Sequence, residues 1–278
     1  MTSMNIVEPE NTAARTALWR ALHAELDTPP VLTDTLGLEL LAPEPGWRDR
    51  EDMDPTFTRG MRASVAARSR IVEDLVQAAE IDQYVLLGAG IDTFAQRHAD
   101  TPITVFEVDE PGPQLWKRSR LTELGLTTPR QRFVPVDFET DGDWLARLRE
   151  QGFDPGRAAI IASLGVSMYL TREATRATLS TVAGLAPGTV LAMTYQPPTE
   201  ELTGDDRRAR EISMAGAARN GTPFLSFYTA DTAASLAREA GFSRVLTIST
   251  EEATERYFSG RADGLAPAHG EEMAIATV

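Results

Sequence analysis

Apolar positions between residues 12 and 41 recur at three- and four-residue intervals through Ala14, Leu18, Ala21, Leu22 and Leu26. This predicts a helix that stops at Pro29-Pro30 and resumes over residues 36–41. After a loop marked by Pro43, Pro45 and Gly46, Asp54-Pro55 opens a long amphipathic helix through Met61, Val65, Arg68, Ile71, Val72, Leu75 and Val76. From Gln83 the texture changes. Short β-branched apolar runs alternate with helical stretches, the signature of a parallel sheet with crossover helices. Strands are predicted at residues 84–87, 103–108, 132–136, 158–162, 189–195, 244–248 and 273–278. The continuous apolarity of the first five suits strands covered on both faces. Helices are predicted at residues 92–98, 113–124, 144–150, 172–185 and 230–240. Past Gln196-Pro197-Pro198, a polar, helix-prone stretch over residues 200–220 leaves the alternation, which predicts an inserted lid over about residues 197–228. The expected fold is α/β: a helical cap over residues 1–80, then a doubly wound seven-stranded sheet over residues 81–278.

Composition narrows the possible chemistry. With 27 Lys and Arg against 41 Asp and Glu, the chain carries a formal charge of −14, which repels phosphate backbones and anionic lipid. A small-molecule partner is expected, rather than nucleic acid or a membrane, and a homodimer is left open. There are no cysteines, which excludes disulfides, thiolate nucleophiles and Cys-ligated metals and suits a cytoplasmic setting. The three histidines, His23, His98 and His269, are far apart and show no ligand spacing, so no metal is expected. No basic-then-apolar leader opens the sequence, and no apolar run approaches the ~20 residues that cross a bilayer.

The sharpest local feature is the run Tyr84-Val85-Leu86-Leu87-Gly88-Ala89-Gly90-Ile91-Asp92-Thr93, a buried strand leading into Gly-x-Gly and a helix start. In a doubly wound sheet this turn lies where nucleotides settle. The dinucleotide fingerprint wants a small residue three positions after the second glycine, where this chain has Thr93, and the charge on Asp92 would repel a diphosphate. A phosphate-free nucleoside held by acids fits better. Asp109, 21 residues after Gly88, ends the second predicted strand and can accept from both ribose hydroxyls. Asp137 ends the third, where it can accept from an adenine amino group while Phe138 flanks the ring. Either acid alone is equally well explained as a helix cap. Together with the glycine turn they form the set that S-adenosylmethionine requires. The cofactor's carboxylate needs a cation, and Arg68 or Arg70 on the long upstream helix can offer a guanidinium fork.

At this point the residues resemble a known family. From about Thr12 to Phe242 the chain is similar to the leucine carboxyl methyltransferases, and within them to the bacterial S-adenosylmethionine-dependent O-methyltransferases that include polyketide carboxyl methyltransferases of antibiotic biosynthesis. The marks are Ala67-Arg68-Ser69-Arg70, Leu87-Gly88-Ala89-Gly90-Ile91-Asp92-Thr93, Phe106-Glu107-Val108-Asp109-Glu110-Pro111, Val136-Asp137-Phe138 and Leu164-Gly165-Val166-Ser167-Met168-Tyr169-Leu170-Thr171. The resemblance implies a class I, Rossmann-like methyltransferase. Arg68 would grip the cofactor carboxylate, Gly88, Ala89 and Gly90 would face its methionine part, Asp109 would hold the ribose, and Asp137 with Phe138 the adenine. Leu164 stands at the methionine end, where many relatives carry Glu.

Methyl transfer to oxygen is an in-line displacement that mainly requires positioning. A carboxylate, with an ordinary pKa of about 4, is already ionised near neutral pH and needs no base. That suits a chain with three histidines and no cysteine, so the expected activity is methylation of a small-molecule carboxylate of secondary metabolism. A phenolic acceptor would want a base within reach, for which His98, Tyr169 and Tyr195 are the local candidates. His98 alone reads more simply as a helix C-terminal charge. Tyr169 is expected to wall the transfer site, and Tyr195 and Tyr228 to face the substrate. A protein C-terminal carboxylate as acceptor, or a non-catalytic S-adenosylmethionine-binding protein, are the other readings. Arg207, Arg208, Arg210 and Arg219 in the insertion would draw in an acidic substrate or simply lie on a solvated face.

Overall fold

The computed structural model describes residue 8, residues 11–137 and residues 143–278, so Phe138 lies outside the described residues. The seven strands are β1 (Gln83–Leu87), β2 (Thr104–Asp109), β3 (Gln131–Pro135), β4 (Ile160–Ser163), β5 (Val190–Tyr195), β6 (Arg244–Ile248) and β7 (Glu272–Thr277). They form one sheet in the order β3-β2-β1-β4-β5-β7-β6. The pairings from β3 across to β5 are parallel, and β7 runs antiparallel between β5 and β6. The order reverses between β1 and β4, which opens a crevice at the carboxyl ends of those strands.

Side-chain alternation along each strand feeds two cores. Val85 and Leu87 of β1 face one layer, where α6 (Trp144–Glu150), α7 (Arg172–Ala183) and α9 (Ala230–Ala240) contribute Trp144, Leu179, Val182 and Leu236. Tyr84 and Leu86 face the other, packed by Ile71, Val72 and Val76 of α3 (Arg59–Ala78), Phe94 of α4 (Phe94–Arg97) and Ala253 of α10 (Thr250–Tyr257). Two further helices, α1 (Asn11–Leu26) and α2 (Leu36–Leu41), lie against α3 and α5 (Pro111–Glu123), and α8 (Gly204–Arg219) occupies the insertion. Ala17 and Leu40 join Ile91 and Leu121 in a small cluster that fixes the N-terminal helices to the sheet. Among the described residues, no helix is long and apolar enough to cross a membrane.

Two boundaries and one added helix differ from the sequence reading for local reasons. The long helix begins at Arg59 rather than at Asp54-Pro55, because the Asp54 carboxylate accepts the Thr56 and Phe57 amides and closes a turn first. The helix after the glycine turn shrinks to four residues, with Asp92 accepting the Phe94 amide outside it. Helix α10 was not expected, although Ser249 and Glu252 form a complete capping box at its start.

An ionic network ties the N-terminal helices to the glycine turn. Arg20 on α1 donates to Asp34 at 2.7 Å and to the Ile91 carbonyl at 2.5 Å. Arg97 donates to Glu73 at 2.5 Å, and His98 lies 3.3 Å from the same carboxylate. Burial pushes the Asp34 and Glu73 carboxyls up, but Arg20 and Arg97 around Asp34, and His98 and Arg97 around Glu73, outweigh it and hold both below their ordinary values of 3.8 and 4.5. Depressed carboxyls stabilise the fold fully above their unfolded pKa and lose that contribution as pH falls through the folded one. Thermal unfolding followed from pH 7 downward should therefore show a melting temperature that is nearly level to about pH 5 and falls below it. Glu73→Gln should flatten that fall.

Candidate functional site

A cavity of about 490 Å³ opens over the crevice between β1 and β4. Its floor is made by the segments that leave successive strands: Gly88-Ala89-Gly90 after β1, Asp109 ending β2, Asp137 after β3, Leu164 after β4 and Gln196 after β5. Arg15 and Trp19 of α1, Arg68 of α3, Arg210 of α8, the loop bearing Phe224, and His269 to Glu271 before β7 build the walls. Seven of the eight residues read from sequence as cofactor contacts thus stand on one cavity, and the eighth, Phe138, is outside the described residues.

The glycine turn is shaped by backbone conformation and by its neighbours. Gly88 has φ +72°, and a Cβ there would come within 2.5 Å of Val166 Cγ2, so the loops after β1 and β4 interlock only with glycine. The expected reason for the glycine was ligand approach; the contact seen is with Val166. Asp109 organises the same turn. One carboxylate oxygen accepts the Gly90 amide and the other accepts the Glu110 amide at 2.8 Å. Burial raises its pKa above the ordinary 3.8, although both amides pull it down. Each oxygen accepts one backbone N–H and keeps a second lone pair for a ligand hydroxyl. At the start of the short α4, the Asp92 carboxylate occupies the place a phosphate would take on a helix N-terminus.

The long helix α3 separates its two arginines. Arg68 lies on the cavity wall, where Nη1 donates to both oxygens of Glu271 at 2.8 and 2.9 Å. Gly165, with φ +70°, backs the guanidinium, and a Cβ there would sit 3.0 Å from Nη1. Arg70, two residues on, points elsewhere and pairs with Asp74 at 2.7 Å on the exposed surface.

The tyrosines divide. Tyr169 lines the cavity and meets Phe224 edge-to-face, with centroids 5.3 Å apart. Tyr195 and Tyr228 do not line it. Both are buried in the core on the α6–α7–α9 side, where the Tyr195 hydroxyl donates to Glu272 at 2.7 Å and that of Tyr228 to Thr175 at 3.1 Å. His98 is also outside the cavity, at the end of α4 beside Glu73. Arg210 departs from the solvated-face reading: it is 5% exposed and donates to the Pro197 and Gly270 carbonyls. Burial pushes its pKa down to about 10. Arg15 has a buried Nε that meets no acceptor among the described residues.

The sequence reading missed the segment Ala268-His269-Gly270-Glu271. Only the observed strand direction reveals it. A strand antiparallel to β5 begins at the carboxyl edge of the parallel strands, so the residues just before it must stand at the crevice rim.

Residues 13–183 match the leucine carboxyl methyltransferase family profile. A Bacillus subtilis (strain 168) protein named "Putative S-adenosyl-L-methionine-dependent methyltransferase YktD" is 32% identical over 187 residues, which cover 66% of this chain and 61% of the relative. A Mycolicibacterium paratuberculosis (strain ATCC BAA-968 / K-10) protein named "Putative S-adenosyl-L-methionine-dependent methyltransferase" is 30% identical over 231 residues, 73% of this chain and 71% of that one. The chain therefore spans about three fifths of the length of the Bacillus relative. In fold it is similar to the crystal structure of a DUF574 family protein from Streptomyces avermitilis MA-4680, with a TM-score of 0.64 at 19% identity over 97% of each chain. A match across more than half its length, which takes in β1 to β4 and the turns that follow them, makes this chain a member of the leucine carboxyl methyltransferase family.

Proposed function

We propose that the chain is an S-adenosylmethionine-dependent O-methyltransferase whose acceptor is the carboxylate of a small molecule, a secondary metabolite, in the cytoplasm. The observation that carries the reading is one cavity at the reversal of strand order with acids on two neighbouring strand ends and a guanidinium across from them. Asp109 holds the ribose diol through its spare lone pairs, Asp137 faces the adenine amino group, and Arg68 takes the methionine carboxylate. Asp92, at the start of α4, disfavours a pyrophosphate ligand. When bound, the cofactor supplies an activated methyl group on its sulfonium.

The chain's own residues then hold the acceptor oxygen in line and keep water out. Tyr169 and Phe224, in edge-to-face contact on the cavity wall, give it an aromatic surface suited to a flat acceptor. Arg15 Nε, buried and without an acceptor of its own, supplies a cation for an acidic one. A carboxylate acceptor requires no proton removal; His98 is outside the cavity, and His269, on its rim, lies 3.5 Å from Glu251.

Release of S-adenosylhomocysteine with a panel of aryl and polyketide carboxylic acids tests the proposal. The rate with a saturating carboxylate should be level between about pH 6 and 9, since the acceptor stays ionised across that range. A rate that climbs about tenfold per pH unit and is seen only with phenols would replace the carboxylate with a phenolate acceptor. Cofactor binding without turnover on any acid or phenol would favour a binding protein.

A further inference from the structure

Arg68 spends one of its three guanidinium nitrogens on Glu271. Nη1 reaches both carboxylate oxygens, while Nε and Nη2 have no hydrogen-bond partner among the described residues. A pair serving only to fasten the segment before β7 onto α3 would gain more from two parallel N–H···O bonds. This one leaves half the fork open. The two side chains are 15% and 14% exposed, and both line the cavity. The next residue, Glu272, turns the other way and accepts from Tyr195 in the core, so strand alternation itself aims Glu271 at the cavity. Leu164, on the β4 side of the same cavity, adds no charge, and Gly165, lacking a Cβ, leaves room for the guanidinium beside it.

A cation and an anion side by side, each with hydrogen-bonding capacity left, are the complement of a zwitterion. A ligand carboxylate can dock on the open Arg68 nitrogens without displacing Glu271. An α-ammonium beside it then falls on the Glu271 carboxylate, and the four charges alternate in sign around the group. We propose that Glu271 receives the α-ammonium of the cofactor, so that Arg68 and Glu271 together read its amino-acid end. This rests on the S-adenosylmethionine reading above and adds a recognition residue to it.

Calorimetric titration of the wild type and Glu271→Gln with three ligands tests the assignment. The ligands are S-adenosylhomocysteine, its deaminated analogue that keeps the carboxylate, and 5′-methylthioadenosine, which lacks the amino-acid end. The wild type should prefer S-adenosylhomocysteine to the deaminated analogue by about tenfold or more. Glu271→Gln should lose that preference, binding S-adenosylhomocysteine about tenfold more weakly. It should bind the deaminated analogue at least as well as the wild type does, because a like charge beside the ligand carboxylate has been removed. Methylthioadenosine affinity should be unchanged. A variant that keeps the preference overturns the assignment, as does an equal loss for all three ligands, which would make Glu271 a structural residue. A wild type that binds none of the three would remove the cofactor reading itself, and Glu271's role with it.

Discussion

Replacing Lys117 with methionine is expected to destabilise the fold by about 3–5 kcal/mol, the cost of leaving a buried charge without its partner. Lys117 on α5 and Glu107 in the middle of β2 are 1% and 0% exposed, with Nζ 2.6 Å from Oε2. Gln131 donates to the other carboxylate oxygen at 2.8 Å, and Gln114 ties the same helix to the Glu107 carbonyl at 2.8 Å. Burial raises the Glu107 pKa above the ordinary 4.5, with Lys117 as the main opposing influence. A raised carboxyl costs stability as pH climbs through the interval between its unfolded and folded values. Lys117→Met should therefore be least stable at neutral pH and recover as the pH is lowered toward 5, opposite in slope to the Asp34–Glu73 network. Pairing it with Glu107→Gln should restore most of the loss, because both charges are then gone. Denaturant unfolding at two pH values checks all three expectations. The site depends on this pair as well, since β2 delivers Asp109 two residues after Glu107.

What the sequence made legible follows from periodicity. All seven strands stand within a few residues of their predicted places; the central ones, covered on both faces, leave continuous apolar runs, whereas the edge strand β6 is half-exposed and shorter runs mark it. The acids after β2 and β3 could be placed on one rim from that alternation alone. The choice between Arg68 and Arg70 was also encoded: Val65, Ile71 and Val72 lie three or four residues from Arg68 and on its face of the helix, whereas Arg70 is on the opposite side. Tyr195 and Tyr228 could not be separated from substrate contacts by sequence, because an aromatic beside a strand end looks the same whether it points into the core or into a cavity. Glu271 was hidden by topology. Only the antiparallel insertion of β7 between β5 and β6 brings residues near the C-terminus to the carboxyl edge. Arg210 was hidden by packing, since a polar helix gives no sign that one of its arginines lies under backbone carbonyls.

Asp109→Ala is expected to weaken cofactor binding by at least tenfold, about 1.4 kcal/mol, and Asp137→Ala to do the same. For Asp109 two losses combine. The ribose diol loses a charge-assisted acceptor, and the Gly90 and Glu110 amides lose the carboxylate that sets the turn. Melting curves separate them. A variant that melts with the wild type but binds poorly has lost the ribose contact, whereas one that melts early has lost the turn.

Titration of S-adenosylhomocysteine into the wild type and Asp109→Ala, with NAD as the competing dinucleotide, asks whether the crevice between β1 and β4 holds a phosphate-free nucleoside through Asp109. One saturable site is expected in the wild type, with at least tenfold weaker binding in the variant and no displacement by NAD. NAD binding at that site, or equal affinity in the two proteins, would contradict it.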